Sequence, residues 1–176
     1  MSIYTYFPKI NYKVDEYDSL RAIDITSAIK IKEYLKSYRG ILYTPYIVKN
    51  GDRPDIVSNK LYGDSNYDWI LLIANDMYSV YDDWPRNSFD LESYIIEKYG
   101  SLSSAMSTVK YYYNSSLDII DETTYNNLAS NARRSETQYE YELRVNSNKA
   151  KIKVVKRSLI TAITSDLNTI AKRPVL

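Results

Sequence analysis

Trp69-Ile70-Leu71-Leu72-Ile73-Ala74 is the longest apolar run in this chain, and Met77 adds one more apolar position beyond it. The run is far short of the roughly 20 residues needed to cross a bilayer, so it belongs to a packed core. Ser65 reads as a helix cap with Asp68 three residues on, and the spacing predicts a helix over Asn66 to Asp76. That helix is apolar almost all round, and such a helix has to be covered on every side. In a chain of 176 residues, part of the cover is expected from another subunit.

The residues before this helix carry clear local signals. Tyr43-Thr44-Pro45-Tyr46-Ile47-Val48 reads as a strand, with Pro45 marking it as an edge or entry strand. Lys49-Asn50-Gly51-Asp52 reads as a turn, with Gly51 at the positive-φ position. Asp52 looks like an N-cap, and Arg53-Pro54 opens a helix, where the missing N–H of Pro54 costs nothing. Val57 and Leu61 give that helix an apolar face, and Tyr62-Gly63 ends it.

The flanks are less regular. Residues 1–20 read as an extended polar-aromatic arm. Residues 21–42 fit either period, and the reading adopted is a strand to about Ile25, then a helix from Thr26 or Ser27 to about Ser37. Asp82 to Asn87 is expected as a loop that contains Trp84 and Pro85. A helix then runs to Tyr99-Gly100, and a short helix covers Leu102 to Met106. Val109 to Tyr113 is expected as a strand, with a helical turn near Thr124 to Ala129. Thr137 to Val145 alternates Tyr139, Tyr141, Leu143 and Val145 with Glu140, Glu142 and Arg144, so it reads as a strand. With a turn at Asn146-Ser147-Asn148 and a second strand through Ala150, Ile152 and Val154, it predicts a hairpin. A last amphipathic helix carries Leu159, Ile160, Ile163, Leu167 and Ile170, and Arg173-Pro174 ends it.

Composition excludes several kinds of chemistry. Neither cysteine nor histidine is present, so there is no disulfide, thiolate nucleophile, Ser-His-Asp triad or His-ligated metal. Basic and acidic residues number 23 and 22, and a net charge of +1 gives no field to gather nucleic acid or an anionic membrane. The N-terminus lacks the basic and apolar regions of a signal peptide. The acidic pairs Asp15-Glu16, Asp82-Asp83 and Asp121-Glu122 read as turn and cap residues, because chain neighbours rarely point at one substrate. No enzyme constellation and no cofactor site is expected. Tyrosine is overrepresented, 20 against 2 Phe. Two readings stand: amphipathic interface area, or the AT-rich codons that Tyr shares with the abundant Ile, Asn and Lys.

The succession Val48, Gly51-Asp52, Val57, Tyr62-Gly63 and Ala74-Asn75 resembles a LysM motif, although no second strand follows Asn75. A wider pattern continues through Gly51-Asp52-Arg53-Pro54-Asp55, Lys60-Leu61-Tyr62-Gly63-Asp64, Tyr67-Asp68-Trp69-Ile70-Leu71-Leu72, Asp83-Trp84-Pro85 and Glu97-Lys98-Tyr99-Gly100. It resembles the small LysM-like baseplate wedge subunits of T-even-type contractile-tailed phages. That resemblance implies a non-enzymatic virion component that joins wedge subunits, contacting large dimeric wedge proteins and a small sheath-initiator-like subunit. It implies assembly in the host cytoplasm and residence in the tail baseplate. The alternative is a LysM-type module that binds peptidoglycan.

The fold expected is therefore α+β. It has a small LysM-like strand–helix–helix core, an extended N-terminal arm, a C-terminal β-hairpin and a terminal amphipathic helix. Residues 1–42 form the arm and short helix, 43–78 the LysM-like segment, and 79–176 a helix, hairpin and C-terminal helix docking region. Gly51, Asp52, Pro54, Tyr62, Gly63, Trp69, Leu72, Asn75, Trp84 and Pro85 are the candidate motif and interface residues.

Overall fold

The computed structural model describes residues 9–14, 19–23, 32–34 and 43–170. The chain divides into two units. Unit one comprises Met1–Val48, Asp52–Trp84 and Lys151–Leu176; unit two comprises Lys49–Gly51 and Pro85–Ala150. Architecture is mixed helix and strand.

In unit one, β1 (Lys9–Lys13) and β2 (Ser19–Ile23) form an antiparallel pair in the arm. Of the helix expected to Ser37, residues 32–34 are described and helical; its remainder and the Arg173-Pro174 stop lie outside the described residues. β3 (Tyr43–Ile47) leads through the Gly51 turn (φ 81°) to α1 (Pro54–Tyr62). Gly63 ends α1 in the left-handed region, where a Cβ would stand 3.2 Å from the Arg157 guanidinium. A single 3-10 turn, Ser65–Tyr67, precedes α2 (Asp68–Ala74), which is buried at Trp69, Ile70 and Leu71. The short α3 (Val80–Asp83) follows.

The strand that pairs with β3 is β7 (Lys151–Val155), antiparallel, with Tyr43 opposite Val155 and Ile47 opposite Lys151. Its period-2 pattern matches the sequence, with Ile152 and Val154 buried and Lys151 and Lys153 exposed. α2 packs on both α1 and β7. After a 3-10 turn, α8 (Ile160–Ile170) buries Ile160, Ile163 and Leu167. Beyond β1 and β2, unit one thus runs β3, α1, α2, α3, β7 and α8, with residues 85–150 intervening before β7.

Unit two contains α4 (Ser88–Tyr99), α5 (Leu102–Ser107), β4 (Val109–Asn114), β5 (Ile119–Ile120), α6 (Glu122–Asn127), β6 (Arg133–Thr137) and α7 (Gln138–Lys149). The sheet order is β5-β4-β6, antiparallel throughout. Leu91, Ile95 and Ala105 form its apolar centre, with Tyr94, Tyr99, Leu102 and Tyr139 packed against them.

Three sequence expectations are corrected here. The strand Thr137 to Val145, its turn at Asn146-Ser147-Asn148 and the C-terminal hairpin do not form; 138–149 is the helix α7. Thr137 and Glu140 make a reciprocal capping box, with Thr137 N–H donating to Glu140 Oε2 at 2.8 Å and Glu140 N–H donating to Thr137 Oγ1 at 3.2 Å. The inward face of α7 carries Glu142 and Asn146, while Leu143 is exposed. Period-2 reading failed because polar residues with dedicated partners occupy the inside. Second, Asp52 is not the N-cap of α1. Arg53 holds that position without a side-chain bond, and the Asp52 carboxylate instead pairs Lys60 at 2.7 Å. Third, Asp64 rather than Ser65 caps the turn before α2, accepting from Asn66 N–H at 2.9 Å.

Candidate functional site

The predicted motif residues fall mostly into the interior of unit one. Tyr62, Trp69 and Trp84 are 6%, 5% and 4% exposed. Pro54 is buried, Leu72 and Asn75 are half-buried, and Gly51 and Gly63 are exposed. A side chain that exposed so little presents no surface to a neighbour, so the aromatic members act as core. Burial pushes the Tyr62 hydroxyl up to about 12, with the Val155 backbone acting in the opposite direction. Trp84 Nε1 donates to the Asp52 carbonyl at 2.7 Å, which ties the end of this segment back to the start of α1. Pro85, half-buried, begins the long stretch of unit two.

Asn75 has the most specific role among these residues. Its Nδ2 donates to Leu71 O and to Lys153 O, each at 2.8 Å, and its Oδ1 accepts from Lys153 N–H at 2.8 Å. The amide thus saturates both backbone groups of Lys153 on the edge of β7 turned away from β3. Pro45 lies opposite Lys153 in the register. Because the Lys153 groups face away from β3, the Pro45 nitrogen faces away from β7, where its missing N–H breaks no ladder bond. Asn75→Asp replaces the donor with a carboxylate facing two carbonyls. We expect a loss of about 1–3 kcal/mol in urea unfolding followed by tryptophan fluorescence, larger than for Asn75→Ala.

In unit two, two glutamates missed at the level of sequence are buried and charged. Glu136 accepts from Arg144 Nε at 2.6 Å and Nη2 at 2.9 Å, and from the Tyr113 hydroxyl at 2.8 Å. The Arg144 guanidinium holds its carboxyl below the usual glutamate value. Glu142 accepts from the Tyr99 hydroxyl at 2.6 Å and Lys98 Nζ at 3.0 Å, with Lys110 Nζ at 3.7 Å. Burial works to raise the Glu142 carboxyl, but the Tyr99 hydroxyl and Lys98 outweigh it and leave it lowered. The cations in turn sit over tyrosine rings: Lys110 Nζ is 3.6 Å from the Tyr141 centroid, and the Arg86 guanidinium 4.3 Å from that of Tyr94. Tyr99 shows why tyrosine rather than phenylalanine is needed here: Lys98 Nζ stands 5.5 Å from its ring centroid while its hydroxyl donates to Glu142. The signal that could have exposed this was the Tyr139-Glu140-Tyr141-Glu142 run, read at helical spacing.

These carboxylates are poorly suited to proton transfer. A general acid at neutral pH needs a raised carboxyl, and both are lowered. Asp121 is the N-cap of α6, its Oδ1 accepting from Thr124 N–H at 2.9 Å, and Asp83 Oδ2 accepts from Tyr78 N–H at 2.8 Å and Ser79 N–H at 2.9 Å at the start of α3. Among the described residues no group of three or more Asp and Glu could hold a metal ion, and no helix is long and apolar enough to cross a membrane. Large side chains do lie open on each unit: Tyr78 and Tyr81 on unit one, Phe89, Ile96 and Leu117 on unit two.

The family model described as base plate wedge protein 53 matches residues 2–131. The chain belongs to this family. Baseplate wedge protein gp53 of Enterobacteria phage T4 is similar to it, at 25% identity over 195 aligned residues that cover 97% of this chain and 96% of that protein. The base plate wedge protein 53 match takes in β1 through α6 and stops before β6, α7 and β7, whereas similarity to the T4 protein continues through all three.

Proposed function

We propose that this chain is a structural component of a contractile phage tail baseplate wedge and joins wedge subunits through protein–protein contacts. The observation that carries this reading is membership of the base plate wedge protein 53 family, supported by similarity to the T4 wedge protein along nearly the whole chain. The geometry agrees. The buried ionic groups are paired and held in their charged forms, so they stiffen unit two, while apolar and aromatic side chains stand open for neighbours.

The partners are other baseplate wedge subunits, among them the large dimeric wedge proteins and the small sheath-initiator-like subunit. The chain resides in the tail baseplate of the virion and is assembled in the host cytoplasm. The β3–α1–α2–β7 arrangement is a LysM-like element serving protein contacts, with β7 as the second strand and residues 85–150 inserted before it. Its supports are the Gly51-Asp52 turn, the Tyr62-Gly63 stop and the Asn75 bonds to β7.

Dissociation of purified tails tests this reading. The chain is expected in the baseplate fraction in fixed ratio to the other wedge proteins, with no retention of the purified chain on peptidoglycan. Its absence from baseplates, together with retention on peptidoglycan, would overturn the assignment.

A further inference from the structure

The β4–β5 turn of unit two contains a residue whose placement folding does not explain. Leu117 adopts φ 65°, and the only other non-glycine residue with positive φ is Asp76 among the described residues. Asx residues tolerate this region through their short polar side chains, but a leucine there is strained. Leu117 is also 65% exposed, so its side chain gains little from burial. The turn itself is well made without that side chain: Asn114 Oδ1 accepts from Ser116 N–H and Asp118 N–H, both at 2.9 Å, and Leu117 N–H donates to Asn114 O at 3.0 Å. Glycine or asparagine would satisfy the same backbone. A side chain that is both strained and exposed points to a contact made in the assembly.

Leu117 walls a pocket of about 210 Å³ together with Tyr113, Arg134, Glu136 and Arg144. Glu136 is neutralised by Arg144 through Nε and Nη2, and Arg144 Nη1 makes no hydrogen bond among the described residues. Arg134 is exposed and acts on Glu136 through space, so two guanidinium charges face one carboxylate in this pocket. The pocket therefore offers apolar wall from Leu117 and Tyr113, and one positive charge in excess with guanidinium donors. That chemistry fits a carboxylate carried beside apolar atoms.

We propose that this pocket receives an acidic segment of a neighbouring baseplate subunit, with Arg134 pairing its carboxylate and Leu117 covering its apolar part. The proposal rests on the wedge reading above. To test it, the chain is co-expressed with the other wedge proteins of its phage, and complexes are titrated at rising salt. Arg134→Gln is expected to weaken association about tenfold and to flatten its salt dependence, as loss of a charge-assisted contact should. Leu117→Gly is expected to weaken association while leaving the melting temperature of the isolated chain unchanged or higher. Failure of the wild-type chain to associate would defeat the wedge reading. Wild-type association that both variants retain in full would overturn this inference alone. A fall in melting temperature for Leu117→Gly, showing that folding itself uses the side chain, would also overturn it.

Discussion

Removing residues 151–176 is expected to unfold unit one. β7 is the only strand paired with β3 among the described residues, and with α8 it supplies buried Ile152, Val154, Val155, Ile160, Ile163 and Leu167. Each such side chain contributes about 1.5–3 kcal/mol on burial. Their sum is comparable with or exceeds the whole stability of a domain, about 5–15 kcal/mol. Both tryptophans of the chain, Trp69 and Trp84, lie in unit one, so their fluorescence reports this unit selectively. We expect the truncated chain to show the red-shifted emission of solvent-exposed indole. Native emission and a cooperative urea transition in the truncated chain would show that β7 is dispensable.

Glu142→Ala is expected to be the most damaging single change in unit two, at about 3–5 kcal/mol, the usual result of removing one partner from a buried ionic cluster. It leaves Lys98, Lys110 and the Tyr99 hydroxyl facing one another without their common acceptor. Far-UV circular dichroism of the whole chain on urea titration, set against tryptophan fluorescence that reports unit one, measures the loss. Acid should act on the same groups. Glu136 and Glu142 both have folded-state values lowered below the ordinary one, about 4.3. A lowered carboxyl contributes stability that is present above the unfolded-state value and lost as pH falls through the folded one. Stability should therefore be flat through neutrality and drop below about pH 4, with a shallower drop in Glu142→Gln. An unchanged acid limb in that variant would mean that Glu142 is not held charged by its neighbours.

The parts of the fold visible in the sequence are those fixed by neighbouring residues. Pro54 at the start of α1, Gly63 at its end and Gly100 closing α4 are all local devices, and all stand where the sequence placed them. The partner of β3 was invisible because register between strands separated by the whole of residues 48–150 leaves no local trace. The alternation of Ile152 and Val154 identified β7 as a strand but not what it pairs with. α7 was misread for a different reason. Its inner face carries Glu142 and Asn146, the latter bonding Arg86 N–H at 2.8 Å and Arg86 O at 2.9 Å. A rule that places apolar residues inside then selects the wrong period. The tyrosine excess gains a physical explanation within unit two, where Tyr99 and Tyr113 donate to buried glutamates. Of the candidate residues, the motif aromatics were legible as a pattern, but their burial depended on packing that no local signal encodes.

A member of the base plate wedge protein 53 family is expected to be held among other baseplate subunits. The most direct measurement is co-expression of the full chain with the other baseplate wedge proteins, followed by size-exclusion chromatography with light scattering. Co-elution in a complex of fixed stoichiometry is the predicted result. Elution of the folded chain as a lone monomer, in the presence of every other wedge protein, would contradict it.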